Sequence, residues 1–181
     1  YQWVLQYTAR LNSSNLLAVA DGNQLYGNLA HRLIDRFFRA ENAQTLRGDA
    51  LKAWFSREFA VLVAEEGAVL LMPGRRVDYE RLRSALERAI GEILRQFKTA
   101  GIEVVESERE LGGKFLGGDL QGKADLVVRN KMGKWAIVDM KWAGANYYQG
   151  RLSQNRHLQL AVYAEMLRQE TGALPQVSYF I

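Results

Sequence analysis

This chain of 181 residues contains an apolar segment, WAIVDMKW at positions 135–142, that is interrupted by two charged residues. Its β-branched and aromatic composition predicts a buried strand, on which side chains two positions apart share a face. Asp139 and Lys141 would therefore lie side by side. A structural ion pair is one interpretation, but it costs desolvation energy that an apolar pair would avoid, so the pattern favours a functional site.

A second carboxylate, Asp125, opens the preceding apolar segment, and residues 130–134 between the two segments fit a hairpin loop. If the loop has five residues, Asp125 lies opposite Asp139. A four-residue loop would place Asp125 beside Val138 and separate the carboxylates onto different faces. In the first register two like charges oppose each other, and a hard cation, Mg²⁺ or Mn²⁺, is the expected partner between them.

This hairpin, with Asp125 followed by Asp139 and Lys141, resembles the core of the PD-(D/E)xK nuclease superfamily. Two further segments are similar to motifs of its RecB/AddB-type branch: GNLAH at 27–31 to the GxxxH motif, and QLAVY at 159–163 to the QxxxY motif. The three motifs occur in the family's order and span most of the chain.

The resemblance implies a role for each matched residue. His31, Asp125 and Asp139 would be metal ligands together with the backbone carbonyl of Met140, and Lys141 would be the catalytic lysine. The implied activity is Mg²⁺- or Mn²⁺-dependent hydrolysis of phosphodiester bonds in single- or double-stranded DNA, with an exonuclease favoured over an endonuclease. The expected context is the nuclease domain of a DNA repair or recombination protein.

Three further groups of polar residues are weaker candidates. Gln159 and Tyr163 would lie one helical turn apart on one face, where they would brace the site or contact the DNA backbone. Glu106 is an accessory candidate on the strand before the hairpin, although the alternating glutamates there suit a solvated edge equally well. Arg151 is expected in a DNA-facing loop after the catalytic strand.

Hydrophobic periodicity predicts an α/β fold. Apolar residues recur at helical spacing in four segments, 24–39, 49–64, 78–100 and 155–170, with Asp78 as the cap of the third and Gly101 as its stop. Strand patterns occupy 102–111, 115–129, 134–142 and the segment after Pro175. We expect a restriction-endonuclease-like core, a mixed sheet of four or five strands flanked by helices, with a helical insertion at about 40–100. Polar residues at 12–15 predict a turn.

Composition narrows the remaining possibilities. The chain has 0 Cys, so these residues hold no cysteine-ligated iron–sulfur cluster, zinc-thiolate site or thiol nucleophile. Its 24 basic and 20 acidic residues give a net charge of +4, which is compatible with a nucleic-acid partner. No apolar run reaches the ~18 residues that cross a bilayer, so we expect an intracellular, cytoplasmic setting without a membrane partner.

The first and last residues predict a piece of a longer protein. The sequence starts with Tyr1 rather than Met and ends on a strand pattern, so we expect one domain over 1–181, excised from a chain that carries or binds helicase-like regions. Two alternatives remain. One is a catalytically inactive nuclease fold that binds DNA or a protein partner. The other is an interaction domain whose charges form a buried ion-pair network.

Overall fold

The protein has an α/β fold in a computed structural model that describes residues 21–42, 45–115, 117–154 and 156–181. The turn predicted at 12–15 lies outside these residues. The described helices are α1 (Gly22–Arg39), α2 (Gly48–Glu66), α3 (Arg76–Ala100), α4 (Ala145–Ser153) and α5 (Leu158–Thr171). The strands are β1 (Ile102–Phe115), β2 (Gly118–Asn130), β3 (Trp135–Met140) and β4 (Gln176–Phe180). None of the helices in these ranges is long and apolar enough to cross a membrane.

The four strands form one mixed sheet in the order β1-β2-β3-β4. The pairs β1–β2 and β2–β3 are antiparallel, and the pair β3–β4 is parallel. Arg129 pairs with Trp135, which is the register of the five-residue hairpin loop and confirms that prediction. The Asn130 side chain closes this loop, because its Oδ1 accepts hydrogen bonds from the backbone amides of Met132 (3.0 Å) and Lys134 (2.9 Å).

Helices cover both faces of the sheet. Side chains along β2 and β3 point alternately to the two faces, so each face has its own hydrophobic core. Helices α1, α2 and α3 pack over one face, which presents the buried side chains of Leu126, Val128, Val138 and Met140. Helix α5 covers the other, which presents those of Leu111, Ala124, Val127 and Ile137. Full burial of each valine, leucine, isoleucine or methionine side chain among them stabilises the fold by roughly 1.5–3 kcal/mol. The predicted arrangement, with the His31 and Gln159 helices flanking the sheet, is confirmed.

The ends of α3 agree in part with the sequence. Gly101 caps its C-terminus with a left-handed backbone (φ +65°), as predicted. The N-cap, however, is Arg75, and Asp78 lies inside the first turn. The Arg75 guanidinium donates a hydrogen bond of 2.9 Å to the Asp78 carboxylate. The negative charge of Asp78 also interacts favourably with the positive end of the helix dipole.

The segment after β3 is a helix, α4, where the sequence predicts a loop. None of the α4 residues is buried, so the segment carries no apolar period from which a helix would be predicted. Arg151 of α4 donates hydrogen bonds to the Tyr147 hydroxyl (2.6 Å) and to the Arg156 carbonyl (2.9 Å). The guanidinium therefore ties α4 to the chain that follows it, and its proposed contact with DNA stays a prediction.

Candidate active site

The predicted carboxylates lie where β2 separates from β3. The last residue pair between these strands is Leu126 with Val138, and one further step in the same register sets Asp125 opposite Asp139. The ladder does not continue, because the Met140 amide donates instead to Oδ2 of Asp125 at 2.7 Å. The Asp125 side chain thus closes the end of the sheet with one oxygen, and its other oxygen is directed elsewhere.

That other oxygen belongs to a group of three possible metal ligands. Oδ1 of Asp125 lies 3.4 Å from Nδ1 of His31, which α1 holds over this end of the sheet. Glu108 of β1 completes the group, and one ligand atom from each residue lies within 4.8 Å of the other two. One imidazole nitrogen and two carboxylates form a donor set that suits a hard or borderline divalent cation.

Glu108 lies across from Asp125 in the register of β1 and β2. Its φ of +50° is in the left-handed region, uncommon outside glycine and worth about 1–2 kcal/mol of strain. The residue pairs on either side, Ser107 with Leu126 and Arg109 with Ala124, are intact, while Glu108 makes none. In this register Glu106 pairs with Val127, whereas Glu108 is the β1 residue across from Asp125. The sequence alone does not show the register, so it does not distinguish the two glutamates.

The other glutamate considered from the sequence lies apart from this group. Glu106 forms an ion pair with Arg109 at 3.1 Å, and its side chain is 41% exposed. It is therefore engaged on the surface of β1. Of the two glutamates, the structure brings Glu108, and not Glu106, to His31 and Asp125.

Asp139 is the one charged residue that is fully buried in the described parts of the chain, at 2% exposure. Nζ of Lys141 lies 2.5 Å from its Oδ2, and that oxygen has no hydrogen-bond partner elsewhere in those parts. Burial raises the pKa of the Asp139 carboxyl, Lys141 opposes the rise, and the Asp125 carboxylate adds to it. A buried carboxyl group whose ionised form is disfavoured by its surroundings is typical of a functional site.

Aromatic rings surround the Lys141 ammonium. Nζ lies 5.7 Å from the centre of the Tyr148 ring of α4 and 5.9 Å from that of the Tyr179 ring of β4, within the range of cation–π attraction. The Tyr179 hydroxyl is hydrogen-bonded to Nδ1 of His157. Burial raises the pKa of Tyr179 to about 12 and lowers that of His157. The sequence interpretation includes neither residue, since no spacing links them to the motifs.

Each carboxylate of the site has a basic neighbour. Lys123 forms an ion pair with Glu108, in the way that Lys141 does with Asp139. The hydrogen bond to Asp125 raises the pKa of His31, although burial partly opposes it. Two lysines therefore balance Glu108 and Asp139, and the imidazole of His31 lies beside Asp125.

Gln159 and Tyr163 share one face of α5, as predicted, and touch each other. Nε2 of Gln159 lies 3.3 Å from the Tyr163 hydroxyl. The Tyr163 ring lies against Gly122 of β2, a short distance along the strand from Asp125, on the sheet face opposite to α1. Their predicted roles in bracing the site or contacting DNA stay predictions.

We expect Gly122→Ala to displace this tyrosine. An added Cβ would lie 2.5 Å from Cε1 of the Tyr163 ring, too close for the ring to stay, and the contact with Gln159 would be lost. The expected destabilisation is about 1–3 kcal/mol, measured by urea unfolding. Gly112→Ala is the control, because its Cβ would come no closer than 3.9 Å to the Leu120 carbonyl. Equal losses in the two variants would contradict the packing argument.

The site combines a histidine–carboxylate group with a buried Asp-x-Lys pair at the end of a mixed sheet, an arrangement suited to hydrolysis of phosphodiesters. A family model described as the PD-(D/E)XK nuclease superfamily matches residues 1–180. The chain belongs to that superfamily, and nucleic acid is the substrate class that membership implies. No curated protein is significantly similar to the chain. The RecB/AddB-type branch stays a prediction.

Proposed function

We propose that the chain is a Mg²⁺- or Mn²⁺-dependent deoxyribonuclease of the RecB/AddB type that acts in DNA repair or recombination, as an exonuclease rather than an endonuclease. The observation that carries the proposal is the group of His31, Glu108 and Asp125 beside the buried Asp139–Lys141 pair. Membership of the nuclease superfamily supports hydrolysis of nucleic acid. Helicase-like regions in the same or a partner chain belong to the same proposal.

The donor atoms fit a divalent cation of this kind. His31, Glu108 and Asp125 would hold the cation. Asp139, predicted as a ligand, is not one of these three residues, although its carboxyl interacts electrostatically with Asp125 and His31. A role for the Met140 carbonyl stays a prediction. The buried Oδ2 of Asp139, whose one close polar neighbour in the described residues is Lys141, supports this fit. A bound Mg²⁺ or Mn²⁺ would polarise the scissile phosphate and lower the pKa of the attacking water.

The protein groups around this position have separate tasks. The Met140 amide fixes the Asp125 carboxylate, so that Oδ1 is presented beside His31. The rings of Tyr148 and Tyr179 confine the Lys141 ammonium. Held there, Lys141 would orient the water or stabilise the negative charge that develops on the phosphate as the bond breaks.

A catalytically inactive scaffold is the alternative function. The observation in its favour is that each site carboxylate has a basic side chain of the protein beside it, so that the carboxylates have partners without a metal ion. The burial of Asp139 argues against it, because a scaffold gains nothing from a carboxylate whose pKa is raised by desolvation.

Metal removal tests the proposed activity. We expect the purified chain to degrade end-labelled linear DNA in Mg²⁺ or Mn²⁺, to stop in EDTA, and to recover when Mn²⁺ is restored in excess. Circular single-stranded DNA should resist an exonuclease and be opened by an endonuclease. An RNA strand of the same sequence tests the preference for DNA. Inertness with every metal and substrate, or cleavage that persists in EDTA, would overturn the proposal.

Glu108→Gln should weaken Mn²⁺ binding by about 10–100-fold, because the amide keeps the shape of the side chain and removes a charged ligand. Isothermal titration with Mn²⁺ measures the effect. Glu110→Gln, at an exposed position of the same strand, is the matched control. If both variants bind Mn²⁺ like the wild type, Glu108 has no part in holding the ion.

A further inference from the structure

A cavity of about 650 Å³ opens beside the candidate site, between α1, α3 and the ends of β3 and β4. His31 and Lys141 of the site form part of its wall. Most of the remaining wall is apolar and includes Ile34, Leu86, Met140, Trp142 and Phe180. The volume is typical of sites for small organic groups, which bury a flat apolar body and orient it with a few polar atoms.

Helix α3 supplies polar groups at the rim of this cavity. Arg88 is exposed and has no ion-pair or hydrogen-bond partner among the described residues. Nε2 of Gln96 donates to Oε1 of Glu92 at 2.8 Å, and within the described chain this is the one hydrogen bond of that amide. The Gln96 carbonyl oxygen therefore remains available to a ligand. The charge of Glu92 is balanced by two hydrogen bonds from Arg95.

We propose that this cavity binds an unpaired nucleobase of the strand being cut, next to the scissile phosphate. That the bound strand is also the strand cut rests on the nuclease function proposed above. Trp142 and the apolar wall would receive the faces of the base, as aromatic side chains do in proteins that bind single strands. Gln96 is placed to hydrogen-bond the base edge, and Arg88 to contact a neighbouring phosphate.

The position of the cavity favours a nucleotide over a segment of polypeptide. Because His31 and Lys141 form part of the wall, an occupant must leave the candidate site accessible. A nucleotide that is continuous with the scissile phosphate meets this condition, whereas packed polypeptide would close one side of the site. A base that is stacked and paired in a duplex cannot enter, so single strands and frayed ends are the substrate class that the cavity selects.

Binding can be tested without metal and without cleavage. A short single-stranded oligonucleotide with one 2-aminopurine should show a saturable fluorescence change with the wild-type protein in EDTA. Ala89→Phe fills the cavity from α3 and should weaken this binding at least about tenfold, which is about 1.4 kcal/mol. Ser84→Phe, at an exposed position of the same helix, should bind like the wild type. Equal binding by all three proteins would overturn the proposal.

Cleavage gives the second measurement. With Mn²⁺, the wild type should cut a strand at least about tenfold more slowly beside a single abasic position, whereas Ala89→Phe should cut abasic and intact strands at the same rate. Loss of 2-aminopurine binding in Ala89→Phe with no cleavage by any form would support the pocket and overturn the nuclease function. Cleavage that is equal in wild type and Ala89→Phe, with a raised melting temperature in the variant, would overturn the pocket alone.

Discussion

Asp139→Asn should abolish DNA cleavage and, at the same time, raise the melting temperature of the metal-free protein. Burial raises the pKa of Asp139 above its ordinary value, and this net rise already includes the opposing attraction of Lys141. A carboxyl group whose folded pKa exceeds its unfolded pKa destabilises the fold at pH values above both and has no such effect below both. Asparagine keeps the shape without the charge, so its advantage should be present at neutral pH and disappear in acid.

Thermal unfolding in EDTA near pH 7.5 and again near pH 4 measures the stability effect. Cleavage in Mn²⁺ should fall at least about 10³-fold, because a lost ligand removes several kcal/mol of transition-state stabilisation. Asp119→Asn is the control, since that carboxylate is exposed beyond the turn between β1 and β2. A variant that melts below the wild type at neutral pH would show that the Asp139–Lys141 pair stabilises the fold.

Lys141→Met should reduce kcat at least about 10³-fold while KM changes little, because the ammonium is expected to act on charge that develops in the transition state. Methionine is flexible and interacts favourably with aromatic rings, so it can occupy the space between Tyr148 and Tyr179. Mn²⁺ binding should become tighter, since the variant removes a cation that competes for Asp139. The metal-free protein should melt at a lower temperature, because Asp139 loses its partner.

Steady-state kinetics on a single-stranded substrate and titration with Mn²⁺ separate these effects. Lys134→Met is the matched control, because this exposed lysine in the hairpin loop uses its backbone rather than its side chain to close the loop. Full activity in Lys141→Met would remove the lysine from the mechanism. A parallel loss of Mn²⁺ binding and cleavage would mean that Lys141 organises the metal ligands instead of acting on the substrate.

The sequence predicts those parts of the site that depend on regular geometry. The five-residue loop follows from matching apolar side chains across the hairpin, and its register holds up to the pair Leu126–Val138, next to the two aspartates. The His31 helix and the Gln159–Tyr163 contact follow from helical periodicity. Each of these predictions uses a periodicity that is visible in the sequence, either the alternation along a strand or the spacing along a helix.

The sequence does not reveal features that depend on the alignment of β1 with β2, on contacts between distant elements, or on a helix without an apolar face. Glu108 lies across from Asp125 in the register between β1 and β2, which the alternation of glutamates in β1 does not indicate. His157 and Tyr179 meet because α5 begins beside the end of β4, and that contact depends on the packed fold. Helix α4 has no buried residue, so no apolar pattern marks it.

The hydrogen bond from the Met140 amide to Asp125 means that Asp125 and Asp139 would be under different selection if the chemistry were lost. Asp125 serves the sheet as well as the site, so selection for folding alone would retain it in a descendant that had lost its chemistry. Asp139 opposes folding in the absence of metal, and in such a descendant it would drift toward a neutral or apolar residue. Among relatives of this chain, the residue at position 139 should therefore indicate whether hydrolysis is still under selection.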